Sequence, residues 1–160
     1  WAVDRLIPDC VRAFSAGAAV ELRNPNATRP WQHVVEPLNG YLLLAERLSS
    51  EEGQSYATAW NFGPALESEA TVGEIARMAA SAWGGSATLV ERVEPGTLHE
   101  AGLLRLDSSL ARKRLGWQPR WSLDQAIAAT IEGYRLHGQV RELRRLIEKQ
   151  IRAYVGTSND

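Results

Sequence analysis

Three side chains close together in the sequence have the chemistry to bind an anion. Arg29, Trp31 and His33 occupy alternate positions, and an extended strand would place all three on one face. A guanidinium beside an aromatic ring and an imidazole can hold a diphosphate through charge-assisted hydrogen bonds. Arg5 precedes a predicted helix and could reach a similar ligand from the start of that helix.

The residue types alone also support a plainer interpretation. Arg5 and Arg29 would then be solvated surface arginines and Trp31 a core residue. His33 would be a hydrogen-bonded structural residue rather than a base, and Arg23, on the other side of the same turn, has no assigned role. On these grounds the plainer interpretation is favoured, because a single sequence identifies binding residues only weakly.

No self-contained catalytic apparatus is recognisable in the sequence. It lacks a glycine-rich phosphate loop after a strand, a G-x-S-x-G elbow, and the H-E-x-x-H and C-x-x-C spacings of metal sites. His99 and Glu100 are adjacent, so they point apart, which argues against a shared zinc ion. Cys10 is the only cysteine, which excludes an internal disulfide and predicts a reducing compartment, the cytoplasm.

Composition is that of an ordinary globular domain and excludes several classes of partner. The net charge is −1, from 18 basic and 19 acidic residues, so no nucleic-acid partner is expected. Apolar residues make up 44% of the chain, but no run approaches the ~20 that a membrane span needs. A basic C-terminal helix could contact a membrane or an acidic partner. Its Leu, Ile and Tyr stripe is better explained by docking onto the domain.

The elements that must position these residues are helices alternating with short strands, which predicts an α/β fold. A first helix begins around Pro8 and ends at Gly17. Short strands are predicted at 20–22, 31–34, 59–64, 87–93 and 103–106, the first two as a hairpin-like pair. Further helices are predicted at 36–48, 72–83, 108–115, 123–137 and 140–155. Capping boxes begin two of them, Thr71 with Glu74 and Ser122 with Gln125.

Several motifs give the chain a specific resemblance. They are D-R-L-I-P-D from Asp4, R-N-P-N-A-T-R-P-W-Q-H-V from Arg23, W-N-F-G-P from Trp60, H-E-A from His99 and L-G-W-Q-P-R-W from Leu115. Over residues 1–155 the chain resembles the C-terminal half of the CDP-glucose 4,6-dehydratases, which are extended short-chain dehydrogenases/reductases. The L-G-W-x-P and W-N-x-G motifs recur across nucleotide-sugar epimerases and dehydratases. The R-P-W-Q-H-V, R-N-P and H-E-A motifs are narrower and favour the CDP branch.

The resemblance implies where a nucleotide sugar would bind. The fold would be the nucleotide-sugar-binding part of such an enzyme, mostly helical with short strands, at 1–155, followed by a flexible tail at 156–160. Arg29 would contact the diphosphate, segments 5–7 and 20–22 would line the pyrimidine nucleotide, and a loop at 99–100 would close over the phosphates and ribose. The substrate-binding residues implied are Arg5, Leu6, Ile7, Val20, Leu22, Arg29, His99 and Glu100.

The resemblance also implies an activity for a longer parent protein. Such enzymes convert CDP-glucose to CDP-4-keto-6-deoxyglucose, and a tightly bound NAD accepts a hydride from C4 and returns it at C6. The Y-x-x-x-K pair and the NAD loop lie in the N-terminal Rossmann half and have no match here. Trp1 stands where an initiator methionine would be expected, so the chain is interpreted as a fragment, inactive alone, of a cytoplasmic homo-oligomer.

Two alternatives remain open at the level of sequence. One is a different epimerase, dehydratase or reductase of the same superfamily, and the other is a non-catalytic binding module that uses the basic C-terminal helix. The resemblance further implies that the 38–48 helix and residues 60–63 pack against the Rossmann half. We therefore expect the isolated chain to expose apolar surface and to self-associate.

Overall fold

The computed structural model describes residues 4–85, 87–92 and 102–156, apart from the side chain of Leu66. The helices are α1 Leu6–Ser15, α2 Val35–Leu48, α3 Val72–Trp83, α4 Ser109–Leu115, α5 Leu123–Arg135 and α6 Val140–Gly156. The strands are β1 Ala19–Leu22, β2 Thr28–Arg29, β3 Ala70–Thr71 and β4 Thr88–Glu91, and short 3₁₀ helices span Gly53–Tyr56 and Leu66–Ser68. The predicted α/β class, mostly helical with short strands, is confirmed. The tail predicted at 156–160 lies outside the described residues except for Gly156, which ends α6.

The predicted capping boxes are present and set where two helices begin. The Thr71 hydroxyl accepts the amide of Glu74 at 3.2 Å, and the Glu74 carboxylate accepts the amide of Thr71 at 2.7 Å. Ser122 and Gln125 make the same reciprocal pair at 3.3 and 2.9 Å. Each pair satisfies amides that have no partner within their own helix. At the end of α4, Gly116 adopts φ +67°, which a residue with a Cβ reaches at a cost.

Two small sheets replace the predicted hairpin-like pair. β1 runs parallel to β4, with Ala19 opposite Thr88. β2 runs antiparallel to β3, with Arg29 opposite Ala70, and Thr28 also bridges to Leu103. The first two strands along the chain therefore belong to different sheets, and their predicted pairing is wrong.

The strand predicted at 31–34 is also absent. Pro30 follows β2 and has no amide hydrogen with which to continue a ladder. The amide of Trp31 donates to the carbonyl of Arg29 at 3.0 Å, which turns the chain, and Val34 already has helical dihedrals as the N-cap of α2. Residue types therefore alternate at 31–34 although the backbone is not an extended strand, which is why the prediction is wrong.

The segment predicted as a strand at 59–64 is irregular. Side chains rather than a neighbouring strand satisfy part of its backbone: Gln32 donates to the carbonyl of Phe62 at 2.6 Å, and the Ser108 hydroxyl accepts the amide of Gly63 at 2.7 Å. Of the strand predicted at 103–106, only the bridge from Leu103 is formed. Neither segment has a full strand partner among the residues that the structure describes.

Two apolar clusters form the core. The larger one joins α1, β1, α3 and α5 around Cys10, Ile75 and Ile131, each at most 1% exposed. The smaller one packs Phe62 and the end of α4 against Trp117, which has no exposed surface. Side chains of α1 and β1 pack into the larger cluster. This packing fixes the positions of both elements, including the start of α1 and the end of β1.

Helix α2 has its apolar stripe on the outside. Leu42 is 72% exposed and Leu38 49%, with Tyr41 and Leu48 on the same surface. The buried positions of α2 are instead Glu36 and Gly40, and a Cβ at Gly40 would lie 2.3 Å from the ring of Phe62. The helix forms where the sequence predicts it, but its apolar stripe contacts solvent.

Candidate functional site: a polar cavity

A cavity of about 590 Å³ opens where the start of α1, the end of β1 and the β2 segment meet. Its lining residues are Asp4, Arg5, Leu6, Ile7, Pro8, Asp9, Glu21, Leu22, Arg23, Asn24, Arg29, Pro30, Trp31 and Val72. Five of the residues implied by the resemblance are among them: Arg5, Leu6, Ile7, Leu22 and Arg29. Val20 points into the core, 5% exposed, and His99 and Glu100 lie outside the described residues. We refer to this depression as the polar cavity.

Arg29 is held at the cavity by the short β2–β3 sheet. Its backbone is paired with Ala70, and one guanidinium nitrogen donates to the carbonyl of Thr28 at 2.9 Å. These contacts fix the base of the side chain on a rigid element, so little conformational freedom is lost when it binds an anion. A guanidinium carries five N–H donors in a planar fork, a geometry that suits the oxygens of an anion.

Trp31 lines the same cavity through a different geometry from the one predicted. Its indole N–H donates to the carbonyl of Ala70 at 2.9 Å, which ties the ring to β3. Arg29 and Trp31 therefore do share one site, as their types suggest. They meet there across a turn rather than along a strand face.

His33 is separated from these two residues, so the predicted common face of three is wrong. Its ring lies 4.9 Å from that of Trp121, and its Nδ1 accepts the amide of Val35 at 3.3 Å. Burial lowers the pKa of His33, which favours the neutral ring that can accept this bond. The plainer interpretation of His33, as a hydrogen-bonded structural residue, agrees with this geometry.

The charges around the polar cavity favour an anionic ligand. Three acids and three arginines line it, but two of the acids are paired with arginines outside it: Asp9 with Arg12, and Glu21 with Arg92 at 3.3 Å. Within residues 4–85, 87–92 and 102–156, Arg5 makes no side-chain hydrogen bond or ion pair. The Arg5 guanidinium therefore adds positive charge that no acid of the cavity lining pairs with in the described part of the chain, which favours an anionic ligand.

The apolar part of the lining lies next to these charges. Leu6 and Ile7 come from the first turn of α1, Leu22 from the end of β1, and Val72 from the start of α3. Leu22 is 3% exposed and is held by the larger core cluster. A cavity with an apolar wall and converging arginines can accept a flat base and a charged phosphate group together.

A second depression of about 610 Å³ lies between α2, α5 and α6, and we refer to it as the apolar groove. Its lining residues are Gln32, His33, Val34, Val35, Leu38, Ala129, Thr130, Gly133, Tyr134, His137, Leu143, Ile147, Gln150 and Ile151. None of these is an aspartate, glutamate, lysine or arginine. The stripe of α6 is divided, since Leu146 and Tyr154 are buried whereas Ile147 and Ile151 remain about half exposed.

A buried glutamate, Glu36 of α2, connects this helix to α6 and to the segment before α5. The sequence alone did not single it out. Glu36 is 1% exposed, and its carboxylate accepts the amides of Arg120 and Trp121 at 3.0 and 2.8 Å and the hydroxyl of Tyr154 at 2.6 Å. Its carbonyl accepts the indole N–H of Trp117 at 3.2 Å. Burial and the bond to Glu36 raise the pKa of Tyr154, so the phenol remains a donor. The L-G-W-Q-P-R-W motif was the available signal, because three of these donors lie in it.

The described residues were compared with what a metal ion and a dinucleotide require. Among the residues that the structure describes, no group of three His, Cys, Asp or Glu side chains could hold a metal ion. Where β1 and β4 end, Arg23 and Arg92 follow rather than a glycine-rich turn, so neither of these described strand ends fits the pyrophosphate of NAD. No helix in the described part of the chain has the length and apolar character to cross a membrane.

Comparison with known proteins identifies relatives of the chain. No family model matches it. It is 43% identical over 135 residues to the CDP-glucose 4,6-dehydratase of Salmonella typhimurium, a match that covers 84% of this chain and 37% of that protein. The resemblance inferred from the motifs is therefore confirmed. The chain spans about two fifths of the length of the relatives it matches.

Solved structures share the fold at lower identity. The UDP-glucuronic acid 4-epimerase of Bacillus cereus, in complex with UDP-glucuronic acid and NAD, superposes with a TM-score of 0.66 at 19% identity, over 82% of this chain and 40% of that one. The dTDP-glucose 4,6-dehydratase of Bacillus anthracis, in complex with NAD, gives 0.64 at 15% identity, over 89% and 42%. At these identities the likeness concerns the fold.

Proposed function

We infer that the chain belongs to the nucleotide-sugar dehydratases and epimerases, and we propose that it forms the substrate-binding part of a CDP-glucose 4,6-dehydratase; the 43% identity to such an enzyme supports this. The observation that carries the proposal is that Arg5, Leu6, Ile7, Leu22 and Arg29 line one cavity. The reaction of the whole enzyme would convert CDP-glucose to CDP-4-keto-6-deoxyglucose.

In this proposal the polar cavity holds the nucleotide end of the substrate. Arg29 donates to the diphosphate, and Arg5 adds a second positive charge from the N-cap of α1. Amides in the first turn of α1 are also directed toward that end of the helix, which favours an anion there. The pyrimidine would pack on Leu6 and Ile7, which exclude water from one of its faces, while Leu22 supports this wall from the core.

The chemical steps are assigned to residues outside this chain. Its sequence has no Y-x-x-x-K pair, so redox and elimination chemistry would come from another part of the whole enzyme. We propose that NAD binds to a Rossmann half of the whole enzyme, and that this enzyme is a cytoplasmic homo-oligomer. The 160 residues would then contribute affinity and position but no turnover.

Calorimetry of the 160-residue chain with CDP-glucose tests the proposal. Arg29→Ala should weaken binding by about 1.5–3 kcal/mol, the usual scale for a charge-assisted hydrogen bond. Arg29→Lys should recover only part of the loss, because an ammonium keeps the charge but not the planar fork.

Arg144→Ala is the matched control for the loss of one arginine. Arg144 lies on α6 outside the polar cavity, where it pairs with Glu148 at 3.1 Å, and its removal should leave the affinity unchanged. Circular dichroism would show that each variant is folded. If CDP-glucose binds equally well to the Arg29→Ala and Arg144→Ala variants, the role given to Arg29 is wrong.

A uridine-linked sugar is the alternative substrate, and the shared fold of the UDP-glucuronic acid 4-epimerase favours considering it. Both nucleotides present the same diphosphate to Arg29, so the arginine does not distinguish them. Competition between CDP-glucose and UDP-glucose on the wild-type chain decides between the two. Tighter binding of UDP-glucose would remove the CDP assignment and keep the family.

A further inference from the structure

One ion pair in the polar cavity is exposed to solvent on both sides. Asp4 and Arg23 face each other with 3.7 Å between Oδ1 and Nη1, and their side chains are 73% and 76% exposed. An exposed pair at this distance contributes little to stability. Both residues line the polar cavity, so their polar groups are available to a ligand.

The backbone places Asp4 in a conformation that few residues adopt. Asp4 has φ +59°, and it is the only residue other than glycine with a positive φ among those the structure describes. Aspartate and asparagine accept the left-handed region more readily than other side-chain-bearing residues. This turn holds Asp4 just before α1, on the side from which Arg23 approaches.

The ion pair also joins the two segments that flank the base in the proposed function. Asp4 immediately precedes Arg5, the N-cap of α1, and Arg23 immediately follows Leu22, the last residue of β1. In this inference a pyrimidine packed on Leu6 and Ile7 turns its edge toward the Asp4–Arg23 pair, which lines the same cavity.

The pair offers a hydrogen-bond pattern that distinguishes pyrimidines. A carboxylate only accepts and a guanidinium only donates. Cytosine presents an amino donor at N4 beside acceptors at N3 and O2, whereas uracil presents an acceptor at O4 beside a donor at N3. Asp4 facing N4 and Arg23 facing N3 and O2 would satisfy all three groups of cytosine. With uracil, both the O4 and the N3 position would be mismatched.

We propose that Asp4 and Arg23 read the base edge and select a cytosine over a uracil nucleotide. This inference rests on the proposed function and gives the polar cavity its base specificity. Asp4 accepts from the amino group, Arg23 donates to the ring nitrogen and the carbonyl, and the diphosphate contacts stay the same for both nucleotides.

Calorimetric titration of the 160-residue chain with CDP-glucose and with UDP-glucose tests the inference. The wild type should bind CDP-glucose at least about 10-fold more tightly, since mismatched base contacts cost that much or more. Asp4→Asn should lower this preference about 10-fold, because an amide can turn its N–H₂ toward O4 of uracil. Asparagine also tolerates the left-handed backbone, so the variant is expected to fold.

Arg23→Gln should reduce the preference in the same direction, since a side-chain amide can accept from N3–H of uracil. In the double variant, the effects of the two substitutions on this preference should not be additive, because both side chains contact the same base. The control is the exposed pair Arg77–Glu91, which has the same 3.7 Å separation but lies outside the cavity lining. Arg77→Gln and Glu91→Gln should leave the preference unchanged.

Arg29→Ala separates this inference from the proposed function. It should weaken both nucleotides by the same factor and leave their ratio unchanged. If CDP-glucose binds and requires Arg29 while Asp4→Asn and Arg23→Gln keep the wild-type ratio, the base-reading inference is overturned and the proposed function stands. If neither nucleotide sugar binds, the proposed function itself fails.

Discussion

The polar cavity and the apolar groove have nearly the same volume, about 590 and 610 Å³, but almost opposite linings. Six side chains that line the cavity carry a formal charge, whereas the lining of the groove includes no aspartate, glutamate, lysine or arginine. The cavity lies at the ends of short strands and at a helix N-terminus. The groove lies along the sides of three helices.

Because two depressions of nearly equal volume have such different linings, the volume of a depression alone does not identify a ligand site. An apolar groove on the sides of amphipathic helices is what remains when a helix has more apolar surface than its own domain covers. Charged groups that converge where helices and strands begin or end are more specific.

Glu36→Ala should have the largest effect and should act on the groove. The change removes a carboxylate that accepts three hydrogen bonds and leaves buried donors without a partner, so we expect a loss of about 3–5 kcal/mol in the free energy of unfolding. Urea denaturation measures it. Since none of these contacts reaches the polar cavity, CDP-glucose affinity should stay the same under native conditions. Glu36→Gln should cost less, and equal costs for the two variants would exclude the hydrogen bonds as the cause.

Self-association should depend on the groove side of the molecule. Leu38 and Leu42 are exposed on α2, and burying such side chains between copies is favourable. Replacing both by lysine should weaken association at least about 10-fold in sedimentation velocity, since each leucine contributes roughly 1.5–3 kcal/mol when fully buried. Leu110→Lys, on α4, is the matched control. A wild-type chain that stays monomeric at high concentration would contradict the expectation.

The affinity of the polar cavity for its ligand should depend on salt, whereas that of the apolar groove should not. Raising NaCl from about 50 to 500 mM should weaken CDP-glucose binding several-fold, because the arginines of the polar cavity attract the diphosphate through a screened field. Binding of a neutral apolar dye such as Nile red, followed by fluorescence, should not weaken. The Arg29→Ala variant should show a shallower salt dependence. Equal salt dependence for both ligands would mean that the difference in lining has no energetic consequence.

Acid should destabilise the groove side slightly, through His33. Burial lowers the pKa of His33 in the folded chain below its ordinary value. The stabilisation is therefore present above the ordinary pKa, and it is lost as pH falls toward the folded value, because the unfolded chain takes up the proton more readily. The midpoint of urea denaturation should decrease between pH 7.5 and 5.5 by more in the wild type than in His33→Gln. Parallel profiles would exclude His33 as the cause.

Local chemistry in the sequence predicted much of the helical framework. The capping pairs at Thr71 and Ser122 and the glycine at 116 act within a few residues of themselves, so the sequence is sufficient to recognise them. The helix at 36–48 was likewise predicted. The sequence did not show what the apolar stripe of this helix contacts. Periodicity shows that one face is apolar, but it does not show what covers that face.

Strand pairing and the buried glutamate required information from distant parts of the chain. Arg29 pairs with Ala70, about 40 positions away, so alternation around the turn gave no register. Glutamates are mostly exposed, and the donors that bury Glu36 come from positions 117–154. For the polar cavity, residue types suggested an anion site at Arg29 and Trp31. Arg5 was a candidate from its position before a predicted helix, and the resemblance rather than the pattern added Leu6, Ile7 and Leu22.

The parallel pairing of β1 with β4 has a consequence for the order of folding. Ala19 and Thr88 are about 70 positions apart, and closing so long a loop is entropically costly before any pairing can compensate it. The α1 and α3 helices can form earlier, from local contacts. Leu22, at the end of β1, therefore reaches its final place late, and the wall of the polar cavity is completed only then. A chain emerging from synthesis should therefore acquire the polar cavity at one of its last folding steps.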